Sequence, residues 1–397
     1  MSVTQIAKFS SMKILFIFTS KTYNDKSAWS GTMYQSFMGL KRAGFDVDYL
    51  CALENASNNF LDKLLWEYWK RIPKACGKNF RCDEAFYSKR IFTKTLKSFD
   101  YSPYDIVFVP THIAIVNALP KTLKAKVVHL ADATVDSLFD YYSEFSNLIF
   151  HNYWEAHILG KRAFCRSDLL IVSSKWCKDN AIKEYGIDPN KIKVVEFGAN
   201  IDRIDIPALP KKIVEKKQLN IYWSGVNWER KGGDVALECC AELIRRGHNV
   251  VLHLTGIKSD NPLTNYLAKY PFVENHGFLN KNIKEQYVQL VDVLKNMDVF
   301  LFPSKAECSS IALCEANGFG LPCFAYNTGG TANYIINGVN GYMLPLSATA
   351  VDFANKIEEC IVNKEFDHLS KAAVDYFKEH LNWEVWSERV KEAIDEL

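Results

Sequence analysis

Short apolar runs alternate along the chain with longer stretches in which apolar residues recur every three or four positions. The runs are continuously apolar, which is typical of strands buried on both faces of a parallel sheet. The longer stretches have the periodicity of helices. The runs are 13–18, 46–50, 105–110, 126–130, 169–173, 193–197, 220–224, 249–255, 299–303, 322–326 and 342–345. This alternation predicts an α/β fold with doubly wound parallel sheets.

Helical periodicity is clearest over residues 32–43, 175–185, 234–246 and 350–362. The two series of strands are separated at Ile206-Pro207-Ala208-Leu209-Pro210, where two prolines interrupt helix and strand alike. A chain of 397 residues also suits two domains better than one. We therefore predict two Rossmann-like domains, residues 1–207 and 208–382, and a final helix over 383–397.

Composition excludes several classes of function. The formal net charge of +2 gives no reason to expect bulk nucleic-acid binding. The 11 cysteines are scattered without a Cys-x2-Cys pair, so neither a zinc site nor a disulfide framework is indicated. No apolar stretch approaches the ~18–20 residues that span a bilayer. Residues 1–12 are polar and lack the apolar core of a signal peptide. These features predict a cytoplasmic globular protein.

The strongest candidate chemistry follows the apolar run at 299–303. Glu307 and Glu315 have seven residues between them, Glu307 in a loop after the predicted strand and Glu315 two turns into the next helix. Ser309, Ser310 and Ile311 open that helix, and the free N–H groups of a helix start suit an anion. Because carboxylates suit sugar hydroxyls, the segment predicts a pocket for a nucleotide sugar. An ordinary helix with surface carboxylates is the alternative.

The segment resembles the Glu-x7-Glu signature of retaining glycosyltransferases of family 4. It continues in the order seen in that family, through Asn317-Gly318-Phe319-Gly320-Leu321-Pro322, Asn327-Thr328-Gly329-Gly330 and Asn337-Gly338-Val339-Asn340-Gly341-Tyr342. The resemblance implies a GT-B fold, with two domains facing across a cleft and the helix 383–397 packing back on the N-terminal domain. It also implies that the C-terminal domain binds the nucleotide sugar. By resemblance, Glu315 accepts hydrogen bonds from the ribose and Glu307 lies near the transferred sugar.

The loop Gly225-Val226-Asn227-Trp228-Glu229-Arg230-Lys231-Gly232-Gly233 resembles the phosphate loop of the family. A glycine such as Gly225 lets the backbone approach a ligand, and Arg230 and Lys231 can neutralise a diphosphate. Many relatives carry an arginine directly after the glycine, where this chain has Val226. Lys231 is therefore the firmer assignment, and the equivalence of Arg230 is open. A solvated basic turn is the alternative.

Two more segments are assigned to the donor site by resemblance. His276-Gly277-Phe278-Leu279-Asn280-Lys281 resembles the loop that lines the nucleobase pocket, which makes Gly277, Phe278 and Leu279 candidates. Trp29-Ser30-Gly31-Thr32 opens the first helix, where a glycine of the family brings acceptor and donor phosphate together, so Gly31 is a candidate. A plain turn and a plain helix start are the alternatives. The first strand lacks a Gly-x-Gly-x-x-Gly after it, which disfavours a dinucleotide oxidoreductase.

One position near the donor sugar is open among three residues. Many family members place a functional histidine after the fourth strand. In His129-Leu130-Ala131-Asp132-Ala133-Thr134, Asp132 falls nearest that position, whereas His129 is expected inside the strand. His112, beyond the third strand, is the other candidate. We favour Asp132 as the catalytic residue, together with Glu307, Lys231 and Arg230.

No metal and no cofactor are predicted, since the nucleotide sugar is a substrate. Asp46-Val47-Asp48 fits the metal-holding Asp-x-Asp of the other main glycosyltransferase fold, but it lies within a predicted strand. Residues 60–72 carry Trp66, Tyr68, Trp69, Lys70 and Arg71. This segment fits three roles, namely peripheral contact with the inner face of a membrane, lining of the acceptor cleft, or core packing.

The resemblance implies metal-independent transfer of a sugar from a UDP- or GDP-linked donor to an acceptor hydroxyl, in glycan, polysaccharide or glycolipid synthesis. The sequence does not distinguish the two bases, nor a glycan acceptor from a lipid-linked or small-molecule one. Two other functions stay open: a non-catalytic nucleotide-sugar-binding subunit, and a nucleotide-sugar epimerase of the same fold.

Overall fold

A computed structural model describes residues 12–26, 28–54 and 59–397 of the protein. The polar N-terminal segment 1–12 falls outside these residues except for Met12. The described residues form two six-stranded parallel sheets with helices on both faces. The predicted pair of doubly wound sheets is thus confirmed. None of the described helices is long and apolar enough to cross a membrane.

The first sheet is built from the N-terminal half of the chain. Its strands are β1 (Lys13–Phe18), β2 (Asp46–Cys51), β3 (Ile106–Pro110), β4 (Lys126–Ala131), β5 (Leu169–Val172) and β6 (Ile192–Val194). Its helices are α1 (Thr32–Arg42), α2 (Phe60–Ala75), α3 (Phe86–Leu96), α4 (Ile113–Ala118), α5 (Val135–Leu138), α6 (Phe150–Arg166) and α7 (Lys175–Tyr185).

The second sheet is built from the C-terminal half. Its strands are β7 (Leu219–Ser224), β8 (Val250–Thr255), β9 (Val273–Asn275), β10 (Val299–Phe302), β11 (Cys323–Tyr326) and β12 (Gly341–Leu344). The helices of this half are α8 (Gly233–Arg245), α9 (Leu263–Leu267), α10 (Lys284–Asn296), α11 (Ile311–Gly318), α12 (Ala350–Val362), α13 (Phe366–Glu379) and α14 (Trp383–Asp395).

The strand order determines where a ligand can bind. The first sheet runs β2-β1-β3-β4-β5-β6 and the second runs β12-β11-β10-β7-β8-β9. In each sheet the first strand in sequence has neighbours that continue in opposite directions, so the connections diverge there. Doubly wound sheets bind ligands in the crevice that forms at this point, beyond the carboxyl ends of the strands. In the second sheet the crevice lies beyond β7 and β10.

The apolar runs located most of the strands within a few residues. The edge strand β9 was missed because it is short and half-buried, so it has no continuous apolar run. The sixth strand was placed too late, because the apolar residues after β6 leave the sheet and enter the core: Val195 and Phe197 are buried outside any strand. Asp46 and Asp48 lie within β2, and their carboxylates form ion pairs with Lys13 at 3.8 and 3.1 Å.

The chain passes between the two domains twice. Phe197 packs in the core of the first sheet and Ala199 in the core of the second. Near the C-terminus, Leu381 packs in the second core and Trp383, at the start of α14, in the first. We propose that the chain crosses between the domains at residues 197–199 and again at residues 381–383. The first crossing precedes the predicted boundary between residues 207 and 208. The Ala199 N–H donates to the Leu381 carbonyl at 3.2 Å, so the crossings lie side by side.

Candidate active site

A cavity of about 410 Å³ lies between the two domains, beyond the carboxyl ends of the strands. Residues from both halves of the chain line it. The first domain contributes Trp29, Ser30, Thr32, Asp132, Tyr142 and Phe197, and the second contributes Ser224, Gly225, Val226, Arg230, Lys231, Lys281, Glu307, Cys308, Ser309, Ser310, Ile311, Ala312 and Glu315. Most residues predicted for the site therefore come together in one cavity.

Glu307 is the most heavily bonded carboxylate of the cavity. Its Oε1 accepts hydrogen bonds from Lys231 Nζ at 2.5 Å, from Ser304 Oγ at 2.5 Å and from Arg230 Nη1 at 3.4 Å. The side chain is only 4% exposed, so these donors compensate a charge that would be costly to bury alone. Arg230 also donates to the Ala306 carbonyl at 2.9 Å, which fastens the phosphate loop to the loop of Glu307.

Lys231 owes its position to the glycine that ends the preceding strand. A Cβ atom at Gly225 would lie 2.8 Å from Cγ of Lys231, so only glycine leaves room for the lysine stem. The Lys231 ammonium lies 4.6 Å from the ring centre of Phe302 at the end of β10. Burial lowers the pKa of Lys231, whereas the neighbouring Glu307 carboxylate opposes this shift. The ammonium is thus poorly solvated and aimed into the cavity.

The Gly329-Gly330 turn packs against the backbone of the Glu307 loop. Cβ atoms at these glycines would lie 2.0 Å from the Glu307 carbonyl and 1.9 Å from the Cys308 carbonyl. The Gly330 N–H donates to the Glu307 carbonyl at 2.9 Å. The close packing of this turn on the Glu307 loop therefore requires two residues without side chains.

Tyr141 holds the same loop from the opposite domain. Its hydroxyl accepts from the Glu307 N–H at 2.8 Å, lies 2.8 Å from Thr328 Oγ1 and lies 3.3 Å from the Glu307 carbonyl. The neighbouring Tyr142 places its ring 5.0 Å from the Arg230 guanidinium, a cation–π contact. Two adjacent tyrosines of the first domain thus contact the two loops of the second domain that carry Glu307 and Arg230.

Glu315 lies on the second turn of α11 and points into the same cavity. It is 8% exposed, and its Oε1 forms an ion pair with Lys281 Nζ. The helix begins at Ile311 with Ser310 as its N-cap, whose hydroxyl accepts from the Leu313 N–H at 3.4 Å. Because the first N–H groups of a helix have no acceptor within the helix, this start presents donors to the cavity.

The first-domain wall contains a left-handed turn and a partly buried acid. Trp29, Ser30 and Gly31 have φ values of 49°, 56° and 90°. Trp29 Nε1 donates to Asp132 Oδ2 at 3.2 Å, and the Ser30 carbonyl accepts from Asn200 Nδ2 at 2.6 Å. Burial raises the pKa of Asp132 to about 6, although the hydrogen bond from Trp29 opposes the shift. Asp132 therefore changes charge near neutral pH.

The three candidates for the position near the sugar lie in three different environments. Asp132 lines the cavity. His129 is fully buried inside β4, where its Nδ1 lies 2.9 Å from the Val109 carbonyl, and burial lowers its pKa to about 4. His112 lies 3.1 Å from Thr19 Oγ1 and lines a separate cavity of about 610 Å³ beside α2 and α3.

Four of the predicted site residues do not line the cavity. Gly31 lines a small adjoining space that shares Ser30 and Lys281 with the main cavity. Among the described residues, Gly277, Phe278 and Leu279 do not line either space. Phe278 is 43% exposed, and Leu279 packs partly against the second core.

Sequence analysis missed Trp29, Tyr141, Tyr142 and Lys281 as site residues. Lys281 stood at the end of a quoted segment, and its charge beside a proposed ligand loop was a usable signal. The two tyrosines lie in an irregular loop without a motif, and each has a contact with a residue 166 positions away. No local pattern identifies such contacts.

Comparison with known proteins agrees with this geometry. A family model described as Glycosyltransferase Family 4 matches residues 33–203, and one described as Glycosyl transferases group 1 matches residues 205–375. A D-inositol 3-phosphate glycosyltransferase of Rhodococcus jostii is 25% identical over 236 residues, which are 56% of this chain. The chain spans only about half of that relative, 51% of its length.

A second relative is similar over a longer stretch. The UDP-Gal:alpha-D-GlcNAc-diphosphoundecaprenol alpha-1,3-galactosyltransferase of Escherichia coli is 24% identical over 352 residues, 85% of each chain. Among solved structures, Anabaena HepE in complex with UDP and glucose superposes with a TM-score of 0.61 at 15% identity, over 97% of this chain and 100% of that one. The predicted fold and family are confirmed: the chain belongs to the family 4 glycosyltransferases and has the GT-B fold.

Proposed function

We propose that the protein transfers a hexose from a UDP-linked donor to a hydroxyl of a lipid-linked saccharide, with retention of anomeric configuration. The observation that carries the proposal is the cavity in which Lys231, Arg230 and the start of α11 face the same space as Glu307 and Glu315. Cations and helix-start N–H groups suit a diphosphate, and the carboxylates suit hydroxyl groups. The E. coli relative is named for a UDP-Gal donor, and HepE was solved with UDP and glucose, which favours uridine as the base.

The reaction exchanges one C–O bond for another. The bond from the anomeric carbon to the diphosphate breaks, and a bond from that carbon to the acceptor oxygen forms on the same face. The acceptor proton passes to the departing phosphate oxygen. A protein nucleophile of the kind that retaining glycosidases use is not required.

The proposed work of the protein is then electrostatic. Lys231 and Arg230 stabilise the charge that grows on the diphosphate, and the N–H groups at Ser309, Ser310 and Ile311 add to it. Glu315 accepts from the ribose, and Glu307 accepts from the transferred sugar. Both carboxylates already hold a cation in the structure, so binding of the donor exchanges ion pairs instead of burying new charge.

The acceptor half of the proposal rests on helix α2. Phe60, Leu64, Tyr68 and Ile72 recur every four residues and so share one face, yet they are 82%, 56%, 50% and 40% exposed. Within this helix only Asp62 and Pro73 are buried, which excludes core packing as the role of the outer face. An apolar stripe of this size on a surface helix needs a partner.

A lipid surface fits the chemistry of this helix. Lys63, Lys70, Arg71 and Lys74 are exposed along one side of the stripe, where they can meet anionic headgroups while the apolar side chains enter the bilayer boundary. The opposite side of the helix turns Trp66 toward the cavity that holds His112. A helix that touches lipid on one side and a groove on the other suits an acceptor attached to a lipid carrier.

The first test is a thermal-shift screen of the purified chain with UDP-, GDP- and ADP-linked sugars. A UDP-sugar is expected to raise the melting temperature most. NMR of the product formed with a lipid-linked saccharide then gives the anomeric configuration, and retention is expected. Donor binding without turnover would indicate a non-catalytic subunit, and conversion of the donor without an acceptor would indicate an epimerase. An inverted product would overturn the mechanism.

The membrane contact is tested by sedimentation with vesicles. Wild-type protein is expected to bind vesicles with anionic lipids and to bind purely zwitterionic vesicles less. Leu64→Ser with Tyr68→Ser should abolish sedimentation. Ile204→Ser with Leu209→Ser is the matched control, because these side chains are as apolar and 93% and 65% exposed, but lie near the domain linker. Equal loss in both double variants would contradict a specific role for α2.

A further inference from the structure

A cluster of three side chains with metal-binding groups lies on the edge of the second sheet, outside the cavity. His253 belongs to β8, Glu274 to β9, and His276 follows β9 directly. One ligand atom from each lies within 4.8 Å of the other two. None of the three lines the cavity between the domains. Among the described residues, this is the only group of three that brings such atoms together.

The pairing of β8 with β9 produces the cluster. His253 and Glu274 are directly opposite each other in the parallel register, so their side chains leave the sheet on one face. His276 lies two residues after Glu274, and its N–H extends the ladder by donating to the Leu254 carbonyl at 2.9 Å. Because side chains alternate along a strand, His276 joins the other two on that face.

The distances approach those of a tetrahedral metal site. His253 Nδ1 lies 3.1 Å from His276 Nε2 and 3.3 Å from Glu274 Oε2. Zinc bonds of ~2.0–2.1 Å to nitrogen and oxygen place neighbouring ligands about 3.3 Å apart in tetrahedral geometry. A hydrogen bond between the two imidazoles would explain the 3.1 Å between their nitrogens. It would not explain why the Glu274 carboxylate lies 3.3 Å from the same nitrogen of His253.

Asn220 orients the first imidazole for such a role. Its Nδ2 donates to the Asn296 carbonyl at 3.2 Å, so its Oδ1 faces the other way and accepts from Gln218 Nε2 at 3.0 Å. The same Oδ1 lies 3.4 Å from His253 Nε2, which therefore carries the proton. Nδ1 is then left with its lone pair directed at the cluster. An amide or carbonyl that fixes the tautomer in this way is the usual companion of a metal-binding histidine.

We infer that His253, Glu274 and His276 bind one divalent transition-metal ion of the zinc type, with a fourth position left to solvent. Imidazole and carboxylate ligands in this number suit Zn²⁺ and not Mg²⁺ or Ca²⁺, which take oxygen ligands. The ion ties the end of β9, and the loop that continues to Lys281, to the neighbouring strand. None of the three metal-binding side chains lines the cavity. The role of the ion is therefore to stabilise this edge of the second domain.

The test uses the full chain, freed of metal with a chelator and then titrated with Zn²⁺ alone. One equivalent is expected to bind and to raise the melting temperature, and Co²⁺ should give the visible spectrum of a tetrahedral site. Glu274→Gln and His276→Gln should each weaken Zn²⁺ binding tenfold or more. Glu274 is 60% exposed at its side chain, so its variant is expected to fold normally. Asn220→Ala should weaken binding by ~10–100-fold.

Two controls exclude other sources of zinc affinity. His368→Gln removes an exposed histidine on α13, and Cys76→Ser with Cys165→Ser removes exposed thiols. Neither should change the affinity for the single ion. The inference is overturned if wild-type protein fails to bind one equivalent of Zn²⁺, if Glu274→Gln and His276→Gln bind it as tightly as wild type, or if a control variant loses it.

Discussion

The two walls of the cleft are built in different ways. The second-domain wall is charged and comes from short continuous segments, with Glu307 paired to Lys231 and Glu315 paired to Lys281. All the aromatic residues that line the cavity belong to the first-domain wall, here called the aromatic wall, and its only charged residue among those that line the cavity is Asp132. Its parts come from separate places in the chain and are held by single hydrogen bonds. The comparison suggests that one wall binds the donor and the other sets its position.

The largest effect is expected from Lys231→Ala on the charged wall. Loss of one charge-assisted contact is worth about 1.5–3 kcal/mol, or roughly 10–150-fold in affinity. Donor binding and turnover should fall together, as measured by calorimetry with UDP and by steady-state kinetics. Lys305→Ala is the matched control, because Lys305 is an exposed cation on the loop of Glu307 outside the cavity wall. Unchanged UDP affinity in folded Lys231→Ala would remove the phosphate role.

The second prediction separates the two carboxylates within the charged wall. Glu315→Gln should weaken binding of free UDP, because its proposed partner is the ribose. Glu307→Gln should depress the transfer rate by tenfold or more, because its proposed partner is the sugar. Since Glu307 also neutralises Lys231, its removal should leave free UDP bound as tightly as before or more tightly. Equal weakening of UDP binding in both variants would contradict this division.

The third prediction tests Asp132, the partly buried acid of the other wall. Asp132 ionises at its usual pKa of 3.8 in the unfolded chain but near 6 in the folded protein. The folded protein therefore holds the proton more tightly, and the stability that this proton provides is lost as the pH rises through 6. Relative to Asp132→Asn, wild type should lose about 2 kcal/mol of unfolding free energy between pH 4 and pH 7. Parallel pH profiles of the two proteins would contradict the raised pKa.

The fourth prediction concerns the bond that joins the walls. Tyr141→Phe removes the acceptor of the Glu307 N–H and a partner of Thr328. We expect the stabilisation of the transition state to fall by about 1–2 kcal/mol. This loss would be measured as a roughly tenfold lower transfer rate with little change in UDP affinity. Tyr153→Phe is the control, since that hydroxyl contacts only first-domain groups. A fall in UDP affinity without a fall in rate would show that Tyr141 belongs to the donor wall instead.

The smallest effect is expected from chelation. No residue set that could hold a metal lines the cavity within the described part of the chain, and its cations can serve the diphosphate directly. Transfer in EDTA, assayed below the melting temperature of the metal-free protein, should therefore match transfer without it. Loss of transfer in EDTA that Mn²⁺ or Mg²⁺ restores would mean that the charged wall works through an ion.

The two walls also differ in how far the sequence predicted them. That Glu307, Glu315, Arg230 and Lys231 share one cavity could be predicted, because they lie in short segments beyond predicted strands and those segments resemble motifs of the family. Gly225 was assigned to the ligand, but the structure shows in addition that it makes room for the lysine stem. On the aromatic wall only Asp132 and the turn at Gly31 were anticipated.

The rest depended on contacts that no local pattern encodes. Tyr141 is defined by a partner 166 positions away, and Trp29 by Asp132, 103 positions away. The strands were predictable because burial on both faces demands continuous apolar runs. The edge strand β9 was not, because one of its faces meets solvent, and with it the cluster of His253 and Glu274 escaped notice.

The paired crossings determine what kind of hinge the protein has. A single connecting segment would let one domain rotate freely about its backbone bonds relative to the other domain. Here two chain segments lie side by side, joined by the hydrogen bond from the Ala199 N–H to the Leu381 carbonyl. We expect this paired connection to permit bending about one axis and to resist twisting. The cleft should therefore open and close along one fixed path, so that each closure brings the same two surfaces back into register.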